Sequence, residues 1–370
     1  MTPSVPERPG GVSLRRPYLD WLRGIGVLIM IEGHALDAWT RMADRSRDGY
    51  QWAIIVAGFG APLFLFLAGV AVTLAAGSRL RKGLNPPEVG RRALRRGAWI
   101  LGLAFLFRLQ SWLISGGEFP GALLKVDILN VMGVSMMAAA AIWRLGRNDL
   151  ARAGLFAAVT AIVAMITPLV REAEWLAALP DPLERYLRPA SGSTAFTLFP
   201  WSGFLTAGAA VGIWLDLARS PDAERRALAV VTASGLLVAG AGYAASFLPA
   251  LYANSSFWTS SPTFFSLRLG VVIAVTGGAY AVTRVWPGTA LQEFGRASLF
   301  VYWIHVEMAY GVLSIPLHRR LPLEAAFAAV VLFGLFLFVL VRLKARFVDR
   351  GRSPELRDSG PFRAARSPVP

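Results

Sequence analysis

The stretch Leu19-Asp20-Trp21-Leu22-Arg23-Gly24-Ile25-Gly26-Val27-Leu28-Ile29-Met30-Ile31-Glu32-Gly33-His34 reads as the start of a membrane helix that carries expensive side chains. Arg23 and His34 stand eleven residues apart, which is three helical turns to within about 20° at ~3.6 residues per turn. Both therefore lie on one face, separated by roughly 16 Å along the axis. One cation near a membrane surface and one proton-transfer group deep in the span suit a site that a long molecule with an anionic head could bridge.

Working outward, the 370-residue chain is 55% hydrophobic and 16% charged. Apolar runs of 18 or more residues recur, each long enough to cross a hydrocarbon core of about 30 Å. Only helix bundles and closed barrels satisfy backbone polar groups in lipid, and these runs lack the two-residue alternation of barrel strands. The expected fold is all-α, a polytopic integral membrane helix bundle of about ten transmembrane helices. The spans fall at about 18–38, 52–77, 95–115, 123–144, 151–170, 196–218, 227–250, 263–284, 297–316 and 322–343.

An even number of spans puts both termini on one side, and Arg/Lys placement selects it. The 79–96 loop holds Arg79, Arg81, Lys82, Arg91, Arg92, Arg95 and Arg96, and the tail from Arg342 is also basic. The loop around Asn254-Ser255-Ser256 carries no Arg or Lys. Both termini are thus expected to be cytoplasmic, in a bacterial inner (plasma) membrane. Residues 1–17 form a short cytoplasmic segment, 18–345 the transmembrane domain, and 346–370 a disordered basic cytoplasmic tail. Ser13-Leu14-Arg15-Arg16-Pro17 glances at a twin-arginine signal, but the charged span that follows reads as a retained first helix. The 172–195 segment is the longest outer loop and could cover an external cleft.

The net charge of +15 does not point to nucleic acid, because the basic residues cluster in short loops between spans. With no cysteine and three histidines, neither a thiolate site, a disulfide framework nor a His-rich metal site is expected.

Ionisable residues inside spans mark function by default. Glu32, His34 and Asp37 on the first helix, Arg108 and Gln110 on the third, Lys125, Asp127 and Asn130 on the fourth, Arg268 on the eighth, and His305 and Glu307 on the ninth converge from the midplane to the outer surface. His34 could act as a general base, since a neutral imidazole takes a proton near neutral pH, or could bond a loop carbonyl at a helix end. Arg23 could grip phosphate or anchor topology, paired with Asp20 at i−3. Asp127 and Asn130 share a helix face and could position substrate, orient His34 or cap a helix. His305, with Tyr302 one turn away, lies near the midplane and either binds substrate or bonds between helices. Arg108 is expected to pair with a carboxylate such as Glu32 or Asp127. Gly208 and Gly212 read as a close helix contact.

These residues resemble a known family. Leu19-Asp20-Trp21-Leu22-Arg23-Gly24 through Gly33-His34 is similar to the opening motif of multi-spanning membrane acyltransferases, with the Arg-x10-His spacing of polysaccharide O-acyltransferases. Phe64-Leu65-Phe66-Leu67-Ala68-Gly69, Asp127-Ile128-Leu129-Asn130, Phe199-Pro200-Trp201-Ser202-Gly203-Phe204 and Phe294-Gly295-Arg296-Ala297-Ser298-Leu299-Phe300-Val301-Tyr302 resemble the heparan-α-glucosaminide N-acetyltransferase-like bacterial family. The resemblance implies acyl transfer from cytoplasmic acyl-CoA, acetyl-CoA above all, to a glycan or amino-sugar acceptor across the bilayer. On this reading Arg23 with Arg95 or Arg96 binds the CoA phosphates. His34 is the catalytic group, steadied by Asp127 or Glu32, and Asn130, His305, Tyr302 and Arg108 contact the acceptor. Acyl-CoA is a co-substrate, with no tightly bound cofactor and no metal. A covalent acyl-histidine route would use the same residues, and a homodimer is allowed. The principal rival is a proton-coupled secondary transporter, which also concentrates Asp, Glu, His and Arg inside a bundle; a non-catalytic scaffold comes third.

Overall fold

A computed structural model of the chain describes residues 16–116, 119–189 and 196–349. Among them the structure is helical, without strands; Thr40 and Leu321 form an isolated bridge. In chain order the α-helices are α1 (Pro17–Trp39), α2 (Asp48–Ala57), α3 (Gly60–Arg81), α4 (Pro86–Ser115), α5 (Ile128–Leu145) and α6 (Asp149–Glu172). There follow α7 (Asp181–Leu187), α8 (Leu198–Leu217), α9 (Pro221–Ala245) and α10 (Pro262–Val285). The last are α11 (Thr289–Arg296), α12 (Ser298–Tyr310) and α13 (Leu323–Lys344).

Eight stretches among the described residues are long and apolar enough to cross a membrane, α2 and α3 counting together. They coincide with eight of the ten expected spans. The other two differ for instructive reasons. The first, α1, has the length at 23 residues but carries Asp20, Arg23, Glu32, His34 and Asp37. The ninth is shorter than expected. Its helix, α12, has 13 residues, roughly 20 Å at ~1.5 Å per residue. It stops at Gly311, after which a 3-10 turn and reverse turns lead to Leu321. Short α11 abuts the basic end of α1, where Gly24 and Gly295 let the two backbones meet.

Helix starts follow local chemistry. Asn85, Asn148, Ser220 and Ser261 each cap a helix by accepting a backbone N–H, and proline opens α1, α4, α9 and α10. The fourth expected span begins later than its hydropathy suggests. Lys125 is exposed and Asp127 precedes the helix as its N-cap, forming a capping box with Asn130.

The core runs along α3 and α8. Gly208 and Gly212 sit against the α3 backbone at Phe66 and Val70, and Thr73 donates to the Ala209 carbonyl at 3.1 Å. Close packing of this kind drives helix association in lipid, where burial of apolar surface supplies little. The helices α1, α3, α4, α5 and α12 enclose a chamber beside this seam. The expected disordered tail lies from residue 350 onward outside the described residues, and residues 345–349 continue α13 as a π-helical turn.

Candidate functional site

Two ends of the bundle can be distinguished. At the basic end α1 begins and α3 finishes; at the far end α1 finishes and α5 begins. His34 on α1 and His305 on α12 meet toward the far end, Nδ1 to Nε2 at 2.9 Å, with ring planes 8° apart. His305 Nδ1 lies 2.8 Å from the Val301 carbonyl oxygen. A carbonyl only accepts, so His305 Nδ1 carries hydrogen and the Nε2 of the neutral ring is an acceptor. His34 Nδ1 then donates to it, and the free lone pair of His34 sits on Nε2. One backbone carbonyl thereby sets both tautomers. His305 is fully buried, whereas His34 is half-buried.

A second cluster adjoins this pair. Asp127 Oδ2 accepts from Arg108 Nη2 at 2.8 Å and from the Tyr302 hydroxyl at 3.1 Å. The Tyr302 ring stands edge-on to His305, 5.8 Å between centroids. Asp127 Oδ1 accepts from the Ile128 amide at 2.6 Å. Asn130 accepts from the Asp127 amide and donates to the Tyr186 hydroxyl at 3.1 Å. The segment between α6 and α8 thus delivers α7 over the far end of the site, while its residues 190–195 lie outside the described residues. Among the described residues Arg108 Nε and Glu307 Oε1 are buried without a hydrogen-bond partner.

His34, His305, Tyr302, Asp127, Arg108 and Asn130 therefore come together. Glu32 does not join them. Two residues before His34 it points about 200° around the helix, and it has no hydrogen-bond or ion-pair partner among the described residues. Of the two carboxylates expected for Arg108, Asp127 is the one used. Sequence reasoning missed Tyr310, whose ring edges His34 at 5.5 Å while its hydroxyl donates to Asp37 at 3.0 Å.

A cavity of about 670 Å³ opens at the basic end among Arg23, Arg79, Arg92, Arg96 and Arg296. It runs inward past Ala68, Ala71, Val72 and Ala75 of α3 and Ile100 of α4, and ends at Met30, Ile128 and Tyr302. The small side chains of α3 leave the lumen open. Arg23 keeps Asp20 at 3.4 Å, and Arg96 stacks on Trp99 at 4.5 Å. Arg95 is exposed and outside the lining. Arg92, Arg96 and Ile100, spaced four apart, share the face of α4 turned to the cavity, and Arg95, about 100° from Arg96 around the helix, falls outside it. In the sequence Arg79 and Arg92 serve as topology markers alone; the structure adds both to the cavity mouth.

A family model described as heparan-alpha-glucosaminide N-acetyltransferase, catalytic, matches residues 15–241. The chain belongs to that family. It is accordingly a multi-pass membrane protein of an acetyltransferase family. No curated protein matches the chain. The matched region contains Arg23, His34, Arg79, Arg92, Arg96, Arg108, Asp127 and Asn130 of this family member, and it ends within α9. His305, Tyr302 and Arg296 lie beyond it, so their place at the site rests on the tertiary structure.

Proposed function

We propose that this protein transfers an acetyl group from cytoplasmic acetyl-CoA to an amine or hydroxyl of a glycan or amino-sugar acceptor on the other side of a bacterial inner membrane. The observation that carries the reading is the cavity itself, with a cation-ringed mouth at the basic end and, in its inner wall, Tyr302, edge-on to His305 of the His34–His305 pair. On this orientation the basic end and both termini face the cytoplasm, and the helical region 18–345 is the catalytic domain.

Arg23, Arg79, Arg92, Arg96 and Arg296 bind the phosphates of CoA, guanidinium groups being suited to bidentate phosphate contacts. The pantetheine arm lies along the apolar lumen, its length comparable to the roughly 16 Å from Arg23 to His34 along α1. The thioester is thus presented near Tyr302, and the acceptor arrives from the far end. His34 Nε2 takes the acceptor proton as the amine or hydroxyl oxygen attacks the thioester carbonyl carbon. The tetrahedral intermediate collapses by breaking the C–S bond, and the departing thiolate recovers the proton from His34. During the charged interval His34 Nδ1–H remains bonded to His305 Nε2, which holds the imidazolium. Asp127 acts at second hand, fixing Tyr302 and Arg108. The unpartnered Arg108 Nε and Glu307 Oε1 offer polar contacts to the acceptor.

The test is purified full-length protein with acetyl-labelled acetyl-CoA and a panel of amino sugars. Parent protein should bind acetyl-CoA and label an acceptor, and His34→Ala should bind it yet transfer little. Failure of the parent to bind or hydrolyse acetyl-CoA, together with gradient-driven solute uptake into liposomes, would replace the reading with a transporter.

A further inference from the structure

A second cavity of about 240 Å³ opens at the far end, between α6, α8 and α10, and no side chain lines both it and the chamber described above. Its walls are aromatic, with Trp201, Phe204, Trp258, Phe264 and Phe265 contributing, and it contains two arginines, Arg171 and Arg268. Its volume is that of about eight liquid waters at ~30 Å³ each, enough for one head group.

Among the described residues neither arginine has a counter-charge. Arg171 Nε is buried without a hydrogen-bond partner, and among the described residues Arg171 makes no ion pair. Arg268 lies over the rings of Phe59, Trp201 and Phe264 at 5.9, 5.6 and 5.1 Å, and no carboxylate lines the cavity. By contrast, three other arginines near helix ends are neutralised: Arg108 by Asp127, Arg188 by Glu184 and Arg152 by Asp149. Two cationic groups left unpaired within spans are costly unless an anion completes them. Ser261 caps α10 at the rim, so the positive end of a 24-residue helix adds to the field.

We propose that Arg171 and Arg268 form a phosphate-binding site at the far end, taking a phosphate monoester borne by a membrane amphiphile or by a soluble sugar. A phosphate monoester carries about −1.5 to −2 at neutral pH, which balances two guanidinium groups, and its oxygens match their planar donors. The rings of Trp201 and Trp258 supply the apolar surface for the attached ring or chain. Trp258 of the cavity wall, and Phe247, Leu248 and Leu251 in the segment between α9 and α10, are solvent-exposed in the isolated chain, as interface anchors are.

The experiment uses full-length protein in nanodiscs and follows binding by native mass spectrometry and by the shift in melting temperature. The probes are phosphatidic acid against phosphatidylcholine for the lipid source, and glucose 1-phosphate against glucose for the soluble one. Parent protein should prefer the phosphate monoester in at least one arm, and that arm identifies the source. Arg268→Gln and Arg171→Gln should each weaken it by about ten- to a hundredfold, with Arg268→Lys intermediate. Acetyl-CoA binding at the first cavity should be unchanged in all three, which shows that the variants are folded and keeps this result separate from the acyl-transfer reading. Equal binding of phosphate and neutral probes in both arms, or binding unaffected by either Gln variant, overturns the proposal.

Discussion

Replacing His305 with alanine should slow acetyl transfer without abolishing donor binding. In the parent, His305 Nε2 accepts from His34 Nδ1 at 2.9 Å and its own Nδ1–H is spent on Val301. The variant loses that acceptor, so His34 is free to rotate or to carry its proton on Nε2, the nitrogen proposed as the base. A hydrogen bond to a charged partner is worth about 1.5–3 kcal/mol. If it is fully developed only when His34 is protonated, its loss lowers kcat about ten- to 150-fold at ~1.36 kcal/mol per decade. Removing the base itself in His34→Ala should cost about 10²–10⁴-fold. His305→Gln, whose amide oxygen can accept in place of Nε2, should recover part of the loss. The assay is steady-state acetyl transfer by detergent-purified protein across pH 5–9, with melting temperatures recorded for every variant. The KM for acetyl-CoA should change less than twofold, because His305 does not line the donor cavity. A folded His305→Ala that keeps parental kcat and the parental pH profile would refute the tautomer reasoning. So would a His34→Ala protein that retains full activity.

Other perturbations reach different parts of the molecule. Arg96→Ala and Arg23→Ala should weaken binding of CoA more than that of a pantetheine thioester lacking the phosphates, as equilibrium dialysis would show. Arg95→Ala, altering an exposed side chain outside the cavity, should leave both unchanged. Asp127→Asn keeps an N-cap acceptor but strips Arg108 of its counter-charge, at a cost of up to about 3–5 kcal/mol if the pair behaves as buried. Asp127→Ala should be worse by about 1 kcal/mol more, for the lost cap, in thermal or denaturant melts. Gly208→Val would drive a side chain into the Phe66 backbone and should destabilise by about 1–3 kcal/mol. In the loop after α1, the hydrogen bond from Arg41 holds the Asp44 carboxyl below its usual range, and Asp44 also accepts from the Leu323 amide at 3.0 Å. A depressed folded-state value means that this tie contributes fully above the unfolded pKa of about 3.9 and is lost as pH falls through the lower folded value. The melting-temperature gap between parent and Asp44→Asn should therefore be flat near neutrality and close below about pH 4.

What the sequence determined by itself was the class of the molecule and the phase of its first helix. Span length and apolarity follow from bilayer thickness and from the need to satisfy backbone groups inside one segment. Those constraints are local, so eight spans and the Arg23–His34 face were legible from residue order. The sequence also put His34, Asp127, Arg108 and His305 in one depth zone. It could not pair them. That His305 and not Glu32 meets the His34 imidazole depends on how α12 leans on α1, 271 residues apart in the chain. Arg96 enters the cavity while Arg95 faces outward because α4 is rotated to set one face against α3 and α5. The ninth span looked complete because hydropathy does not register where Gly311 ends a helix, and Asp127 looked intramembrane because a cap and a buried acid have the same composition. Pairing, rotation and termination are decided by packing among distant helices, and only the folded bundle carries that information.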